Sequence, residues 1–236
     1  AVANVTVNED SGAGTVTLTG LGNGAGNESG QTLTVTASSD TVAVIPTPTI
    51  SGSGTARTLS FTPVADANGS AMITVTVMDD GGTASGGVDT VTQTFTITVN
   101  AVNDAPTLDA IGDVTVNEDS GAGTVSLTGI GSGGGTDESA QTVTLTAVSS
   151  DPAIIPTPSV TVTGATRTLN FTPAADAFGA VTITVSAMDD GGTANGGVDS
   201  RTRSFTLTVT SINDAPTLDA VANVTVNEDS GAGTVT

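Results

Sequence analysis

Asn103-Asp104-Ala105-Pro106 and Asn213-Asp214-Ala215-Pro216 recur along a chain whose side chains can do essentially one kind of chemistry. Asp and Glu number 24 against four basic residues, Arg57, Arg167, Arg201 and Arg203, for a formal charge of −20. His, Cys, Lys, Trp and Tyr are absent. Without imidazole there is no nitrogen base to activate the abundant Ser and Thr, and without thiolate or imidazole no soft donor for zinc or copper. Without Lys there is no Schiff base, and without Cys no disulfide. Paired carboxylates can hydrolyse glycosides, but that reaction needs an aromatic-lined cleft for which this sequence holds no material. The expectation is a non-enzymatic protein. Carboxylates, amides and backbone carbonyls can, however, hold a hard cation. Flexible all-oxygen sets suit Ca²⁺ better than Mg²⁺, which keeps its water and demands a tight octahedron. So acidic a chain repels nucleic acid and anionic membranes, and no run of about 18 apolar residues suggests a membrane-inserted segment.

These acids must be positioned by strands. Within each copy the apolar period is two: "NVTVN", "GTVTLTG", "QTLTVTA", "RTLSFTP", "AMITVTV" and "TFTITVN" alternate Val, Ile, Leu or Phe with Thr and Ser. β-Branched residues favour strands, and Gly, Pro, Asn and Asp punctuate the gaps. Asn103 recurs as Asn213, Pro63 as Pro173 and Asp80 as Asp190 at one common offset, while Glu9 to Glu118 is one residue shorter. The difference falls in a Gly-rich loop, "GLGNGAGNESG" against "GIGSGGGTDESA", which marks that loop as surface. About seven short strands in roughly 105 residues is the pattern of an immunoglobulin-like sandwich. The predicted organisation is repeat 1 over residues 1–104, repeat 2 over 105–214 and the start of a third over 215–236, as beads in an extended rod. The chain opens without Met and stops inside a motif seen twice before, so it reads as a segment of a longer array.

Strand order then sorts the acids by end. The first strand runs down to Glu9, the "ADANG" turn carries Asp66 at the same end, and the last strand exits at Asn103 and Asp104. Repeat 2 offers Asp137 and Glu138 in its first upper loop and Asp189 and Asp190 in "DDGG". Carboxylates crowded into one joint repel unless a cation joins them. The expected ligands at the first joint are Glu9, Asp66, Asn103, Asp104, Asp137, Glu138 and Asp190. Asn103 would offer its side-chain or backbone oxygen. The second joint offers Glu118, Asp176, Asn213 and Asp214, without the upper loops of a third repeat.

Plainer readings stand beside each motif. "NDAP" alone is a good turn, with Pro setting the backbone angle that follows; three further acidic motifs at the same joint favour the cation. Within the doublets, Asp10, Asp79 and Asp189 are expected to be solvent-facing and Glu9, Asp80 and Asp190 to point inward. Asp89 and Asp199 read as hairpin-rim charges. "GGTASGGVD" lacks the Lys and the helix of a phosphate cradle, and occurs only once per repeat, unlike consecutive calcium-binding nonapeptides. Outward Thr is ordinary for half-buried strands. Phe61, Phe95, Phe171 and Phe205 sit at core positions, and Phe178 replaces Asn68 in a turn, where it is expected to pack locally.

"NED" at Asn8 to Asp10, "ADANG" around Asp66, "DDGG" at Asp79 to Gly82 and "NDAP" at Asn103 to Pro106 follow one another in the order of the cadherin motifs. The chain resembles the bacterial cadherin-like repeats of large surface adhesins, including the repeats-in-toxin type. That resemblance implies tandem seven-stranded Greek-key sandwiches, calcium at the joints between repeats, and an extracellular or cell-surface stalk. Its partners would be calcium, the neighbouring repeats and, through other domains, a host-cell or biofilm polysaccharide surface. The sequence departs from the family in three places. "AVNDAP" lacks an Asp two residues before the Asn, the acidic turn holds one acid, and repeat 1 has only Glu28 where repeat 2 has Asp137 and Glu138. These departures imply fewer ions or weaker binding, and extracellular modules already bind calcium at only about 10⁻⁴–10⁻³ M. Two alternatives stay open: repeats that themselves bind a glycan or cell-surface ligand, and spacers within a secreted enzyme.

Overall fold

A computed structural model describes residues 2–24 and 26–234. The first copy forms seven strands: β1 (Val5–Asn8), β2 (Gly14–Thr19), β3 (Thr34–Ser39), β4 (Thr49–Ser51), β5 (Ala56–Phe61), β6 (Gly69–Met78) and β7 (Thr90–Asn100). The second repeats them as β8 (Val114–Asn117), β9 (Gly123–Leu127), β10 (Thr144–Ser149), β11 (Ser159–Thr163), β12 (Thr166–Phe171), β13 (Gly179–Met188) and β14 (Ser200–Thr210). Helical structure among the described residues is limited to single 3₁₀ turns. Each copy splits into a four-stranded sheet, β1-β7-β6-β3 or β8-β14-β13-β10, and a three-stranded one, β2-β5-β4 or β9-β12-β11. The protein is all-β: two immunoglobulin- and cadherin-like sandwiches in tandem. β3 starts later than its alternation suggests, because Thr32 N–H is turned into the loop to donate to Asp80 Oδ1 at 2.9 Å.

The inward faces of the strands, with Ile45 and Ile155 from the turns after β3 and β10, supply the core. Ile45, Leu59, Ile73 and Ile97 are fully buried in the first sandwich, and Ile155, Leu169, Ile183 and Leu207 match them in the second. Each such side chain stabilises its sandwich by about 1.5–3 kcal/mol. Phe61, Phe95, Phe171 and Phe205 are buried as expected, while Phe178 is exposed rather than locally packed. A Cβ on Gly14 would overlap the Phe61 ring tip, and one on Gly123 the Phe171 ring. Each glycine therefore makes room for the aromatic ring of the strand beside it.

The first strand of each copy pairs in parallel with the last, Val5 opposite Ile97 and Val114 opposite Leu207. This closes each repeat and carries the "NED" motif to the exit of the same repeat. The third copy of "VTVN", Val224–Asn227, forms no strand, and Val224 and Val226 are exposed. Among the described residues no later strand stands beside it to pair with.

Beyond Pro106 the linker belongs to the second sandwich. Thr107 and Gly131 exchange backbone hydrogen bonds, Asp109 N–H donates to Thr128 C=O at 3.0 Å, and Leu108 is buried in the core. Arg203 Nε donates to Leu108 C=O at 3.0 Å.

Candidate metal centre

The lower end of the first sandwich meets the upper end of the second across residues 101–106. Glu9 continues the β1–β7 ladder by donating its N–H to Asn100 C=O at 3.0 Å. Its Oε1 accepts from Val102 N–H at 2.6 Å, which folds the exiting chain over it. Asp10 and Asp66 each take up a left-handed backbone, φ 56° in both, which short Asp side chains tolerate. The two turns are joined where Asp66 N–H donates to Asp10 Oδ1 at 3.3 Å. Carboxylate oxygens of Asp10, Asp66 and Asp104 lie within 4.8 Å of one another. Two oxygens on opposite sides of one Ca²⁺ are about 4.6–5.2 Å apart, so this spacing suits a single ion.

The second sandwich closes over the cluster. Glu138 stands on a 3₁₀ turn, Asp137–Ala140, and is only 1 % exposed. Its Oε1 accepts the Asp104 N–H in a short bond. Gly133 to Gly135 pass close above the acids. A Cβ on Gly133 would overlap Glu138 Oε2, and one on Gly134 would lie 2.6 Å from Asp66 Cγ and 2.7 Å from Asp104 Oδ2. One on Gly135 would lie 3.0 Å from the Asp66 carbonyl oxygen. Only backbone without side chains fits here, which accounts for the three consecutive glycines in the longer loop of repeat 2.

Charge is poorly compensated. Burial pushes the Asp104 carboxyl above its ordinary value of 3.8, and Asp10 and Asp66 push it further. Glu9 is raised above 4.5, first by burial; Val102 N–H opposes this, and Asp137, Asp10 and Asp104 add to it. Glu138 is raised by burial, opposed by the Asp104 N–H and reinforced by Asp104, Asp137 and Asp189. Glu9 Oε2, Glu138 Oε2 and Asp189 Oδ2 are buried with no hydrogen-bond partner. Leaving a buried charged oxygen unpaired costs about 1–3 kcal/mol or more each. All-oxygen donors, orphaned and converging from both sandwiches, fit a hard divalent cation.

The sequence-predicted residues divide accordingly. Glu9, Asp66, Asp104, Asp137 and Glu138 are brought to the joint. Asp10 is exposed, as expected, yet its carboxylate belongs to the cluster. Asp190 is not at the cluster: it is exposed, and its Oδ1 accepts from Thr142 N–H at 2.9 Å. Its neighbour Asp189, expected outside, is buried. This correction has a simple cause, since Asp189 continues the inward phase of Val181, Ile183, Val185 and Ala187 along β13. Counting that phase in the sequence finds it. The same exchange holds in repeat 1, with Asp79 half-buried and Asp80 exposed.

Asn103, expected to lend an oxygen, is engaged as a latch. Its carbonyl accepts from Val198 N–H at 2.8 Å, and its Oδ1 accepts from Gln141 Nε2 at 2.8 Å. Its Nδ2 donates to Val198 C=O at 2.8 Å and to Asp189 Oδ1 at 3.0 Å. The "GGTANGGVD" loop of repeat 2 thus receives the linker. A Cβ on Gly191 would overlap the Asn103 amide, and one on Gly197 would lie 3.0 Å from Asn103 Cβ. Asn8 Nδ2 adds a bond to Asn195 C=O at 3.2 Å.

The second joint repeats the lower half alone. Asp119, Asp176 and Asp214 form the same triad, and Glu118 is buried with Oε1 on Ile212 N–H at 2.6 Å and Oε2 unpartnered. Asn213 is exposed, its Nδ2 donating to the Asp214 carbonyl at 2.9 Å.

Two tandem sandwiches with an acidic, interlocked joint define the class of this protein. No family model matches the chain, and no curated protein matches it. Among solved structures, the human desmocollin-1 ectodomain is 14 % identical at a TM-score of 0.40, over 90 % of this chain and 41 % of that one. The titin domains Z1Z2 in complex with telethonin are 16 % identical at 0.34, over 90 % and 94 %. Domains 1–6 of the surface layer protein SbsC are 20 % identical at 0.32, over 82 % and 21 %. At these values the architecture rests on the sheets described above. No helix among the described residues is long and apolar enough to cross a membrane.

Proposed function

We propose that this chain is a structural stalk segment of a large bacterial surface or secreted adhesin, stiffened by Ca²⁺ bound between repeats. The observation that carries the reading is the convergence of acids from two sandwiches with buried oxygens that lack partners: Glu9 Oε2, Glu138 Oε2 and Asp189 Oδ2. Asp10, Asp66 and Asp104 would hold the ion from below, with Glu9, Asp137 and Glu138 completing the shell. The cation supplies charge compensation. The chain's own residues supply a glycine loop that admits the acids at close range and backbone hydrogen bonds that fix the Glu9, Asp10 and Glu138 carboxylates. With like charges crowded at one joint, the orientation between repeats depends on the ion. The stalk is proposed to act outside the cell without catalysis, any ligand being held by other domains.

Small-angle X-ray scattering of the chain, titrated with calcium, then chelator, with magnesium as control, tests the reading. A maximum dimension that rises with calcium, falls with chelator and stops responding in Asp104→Ala supports it. A profile indifferent to calcium removes it and leaves linker packing as the source of rigidity.

A further inference from the structure

The sequence holds three Asn-Gly pairs, Asn23-Gly24, Asn68-Gly69 and Asn195-Gly196. Such a pair can lose ammonia without an enzyme. The Gly nitrogen attacks the Asn Cγ, the Cγ–Nδ2 bond breaks, and the Gly N–H proton leaves with the amine as a five-membered succinimide closes. Water then opens either carbonyl. The product is an ordinary aspartate, or an isoaspartate whose main chain runs through the former side chain. Gly favours the step because it has no Cβ to obstruct the attack. The three dipeptides are chemically alike, so the fold decides among them.

Asn23 is tied down. Its Nδ2 donates to Glu28 C=O at 3.0 Å and to Gln31 C=O at 2.5 Å, so its carboxamide cannot turn towards Gly24 without breaking both bonds. Asn68 is half-buried, and Gly69 opens β6 opposite Val99, where the ladder holds its backbone. Asn195 is exposed, and its side chain has no hydrogen-bond partner among the described residues. It stands in a turn at φ 58° and ψ 16°, between Gly191-Gly192 and Gly196-Gly197, which leaves the peptide after it free to rotate. This is the turn that receives the linker. Asn195 C=O accepts from Asn8 Nδ2 at 3.2 Å, a Cβ on Gly197 would lie 3.0 Å from Asn103 Cβ, and Val198 exchanges hydrogen bonds with Asn103. We propose that Asn195-Gly196 is a spontaneous deamidation site that loosens the joint between the two sandwiches as the protein ages. An isoaspartate adds one main-chain carbon before Gly196, in a turn closed by Gly197 N–H donating to Ala194 C=O at 3.0 Å. The lengthened turn cannot keep Gly197 and Val198 in place against Asn103. Either product also adds a negative charge to a joint already crowded with carboxylates. Ser85 takes the same place in repeat 1, at φ 56° and ψ 25°, so this backbone needs no amide and Asn195→Ser keeps the turn. The inference rests on the latch and not on the calcium reading.

The test is ageing of the whole chain at mildly alkaline pH in chelator, followed by peptide mapping with a protease that cuts after acidic residues. Electron-transfer fragmentation separates isoaspartate from aspartate. Asn195 is expected to convert about tenfold faster than Asn23, whose two bonds must break first, with Asn68 slower as well. Converted chain, separated by anion exchange on its extra charge, should show altered side-chain amide signals for Asn103 and Gln141 in ¹⁵N spectra. The core amides of both sandwiches should not move. Aged Asn195→Ser should keep its Asn103 and Gln141 signals. Conversion that is equal at the three pairs, led by Asn23 or Asn68, or absent at Asn195 overturns the proposal. So does converted chain whose Asn103 and Gln141 amides stay in place, or aged Asn195→Ser that loses them as fast as wild type.

Discussion

Replacing Glu138 by Gln separates the two states of the joint by sign. The side chain keeps its volume, and its Oε1 still accepts the Asp104 N–H. What is lost is one negative charge, on an oxygen that is buried and unpartnered and that faces Asp104, Asp137 and Asp189. Without a cation, each like-charge neighbour about 4 Å away costs about 1–4 kcal/mol at effective dielectric constants between bulk water and a protein surface. Relieving part of this raises the stability of the chelated protein by about 1–2 kcal/mol, or roughly 4–16 °C in Tm for a unit of about 100 residues. With calcium the balance turns. A divalent ion about 4 Å from the lost charge forfeits about 2–8 kcal/mol, and relief among the remaining acids returns most of it. A net loss of about 2–3 kcal/mol is a roughly 30- to 150-fold weaker site. Calorimetric titration with calcium, and scanning calorimetry in chelator and in calcium, read both quantities without the Trp and Tyr that this chain lacks. Glu138→Gln should melt above wild type in chelator and gain less from calcium. A variant that melts lower in chelator and binds calcium as tightly as wild type refutes the reasoning.

Three further outcomes follow from the same structure. Glu9, Asp104 and Glu138 have folded-state values above their ordinary 4.5, 3.8 and 4.5, so the folded joint keeps protons that the unfolded chain has already released. In chelator, Tm should therefore fall as pH rises through that window; calcium, which needs the ionised acids, should make Tm fall as pH drops instead, and scanning calorimetry across pH 4–7 checks the reversal. Gly123→Ala drives a methyl into the Phe171 ring and should destabilise the second sandwich by about 1–3 kcal/mol, seen as an earlier melting transition while the first sandwich is unchanged. Asn103→Ala removes the side-chain bonds to the Val198 carbonyl, Gln141 Nε2 and Asp189 Oδ1 while keeping the backbone bond from Val198 N–H, at about 1–3 kcal/mol to joint docking. Residual dipolar couplings in chelator should then show the two sandwiches reorienting independently, with each core intact.

The three copies of "VTVNEDSGAGTV" divide what is local from what is not. The turn is local: Asp10, Asp119 and Asp229 all adopt a left-handed backbone, and Ser230 N–H still donates to Asn227 C=O at 3.3 Å where no sandwich surrounds it. Asn, Glu, Asp and Gly carry that conformation in their own sterics and side-chain chemistry, so it was legible in the residues. So was the period-two alternation, and with it the all-β class, the Phe core positions and the end of the sandwich to which each acidic loop belongs. The doublets needed more. Which of Asp189 and Asp190 turns inward follows from strand phase, but which of Glu9 and Asp10 joins the acid triad depends on how two separate turns abut. Strand and burial were decided only in three dimensions. Val5–Asn8 and Val114–Asn117 pair with a last strand that arrives some ninety residues later, while Val224–Asn227 has none and stays unpaired. Glu9 and Glu118 are buried because the exiting backbone at Val102 and Ile212 folds over them, and Glu228, with the same neighbours in sequence, is exposed. A turn needs four adjacent residues, but a ladder and a buried carboxylate need partners from the far end of the repeat.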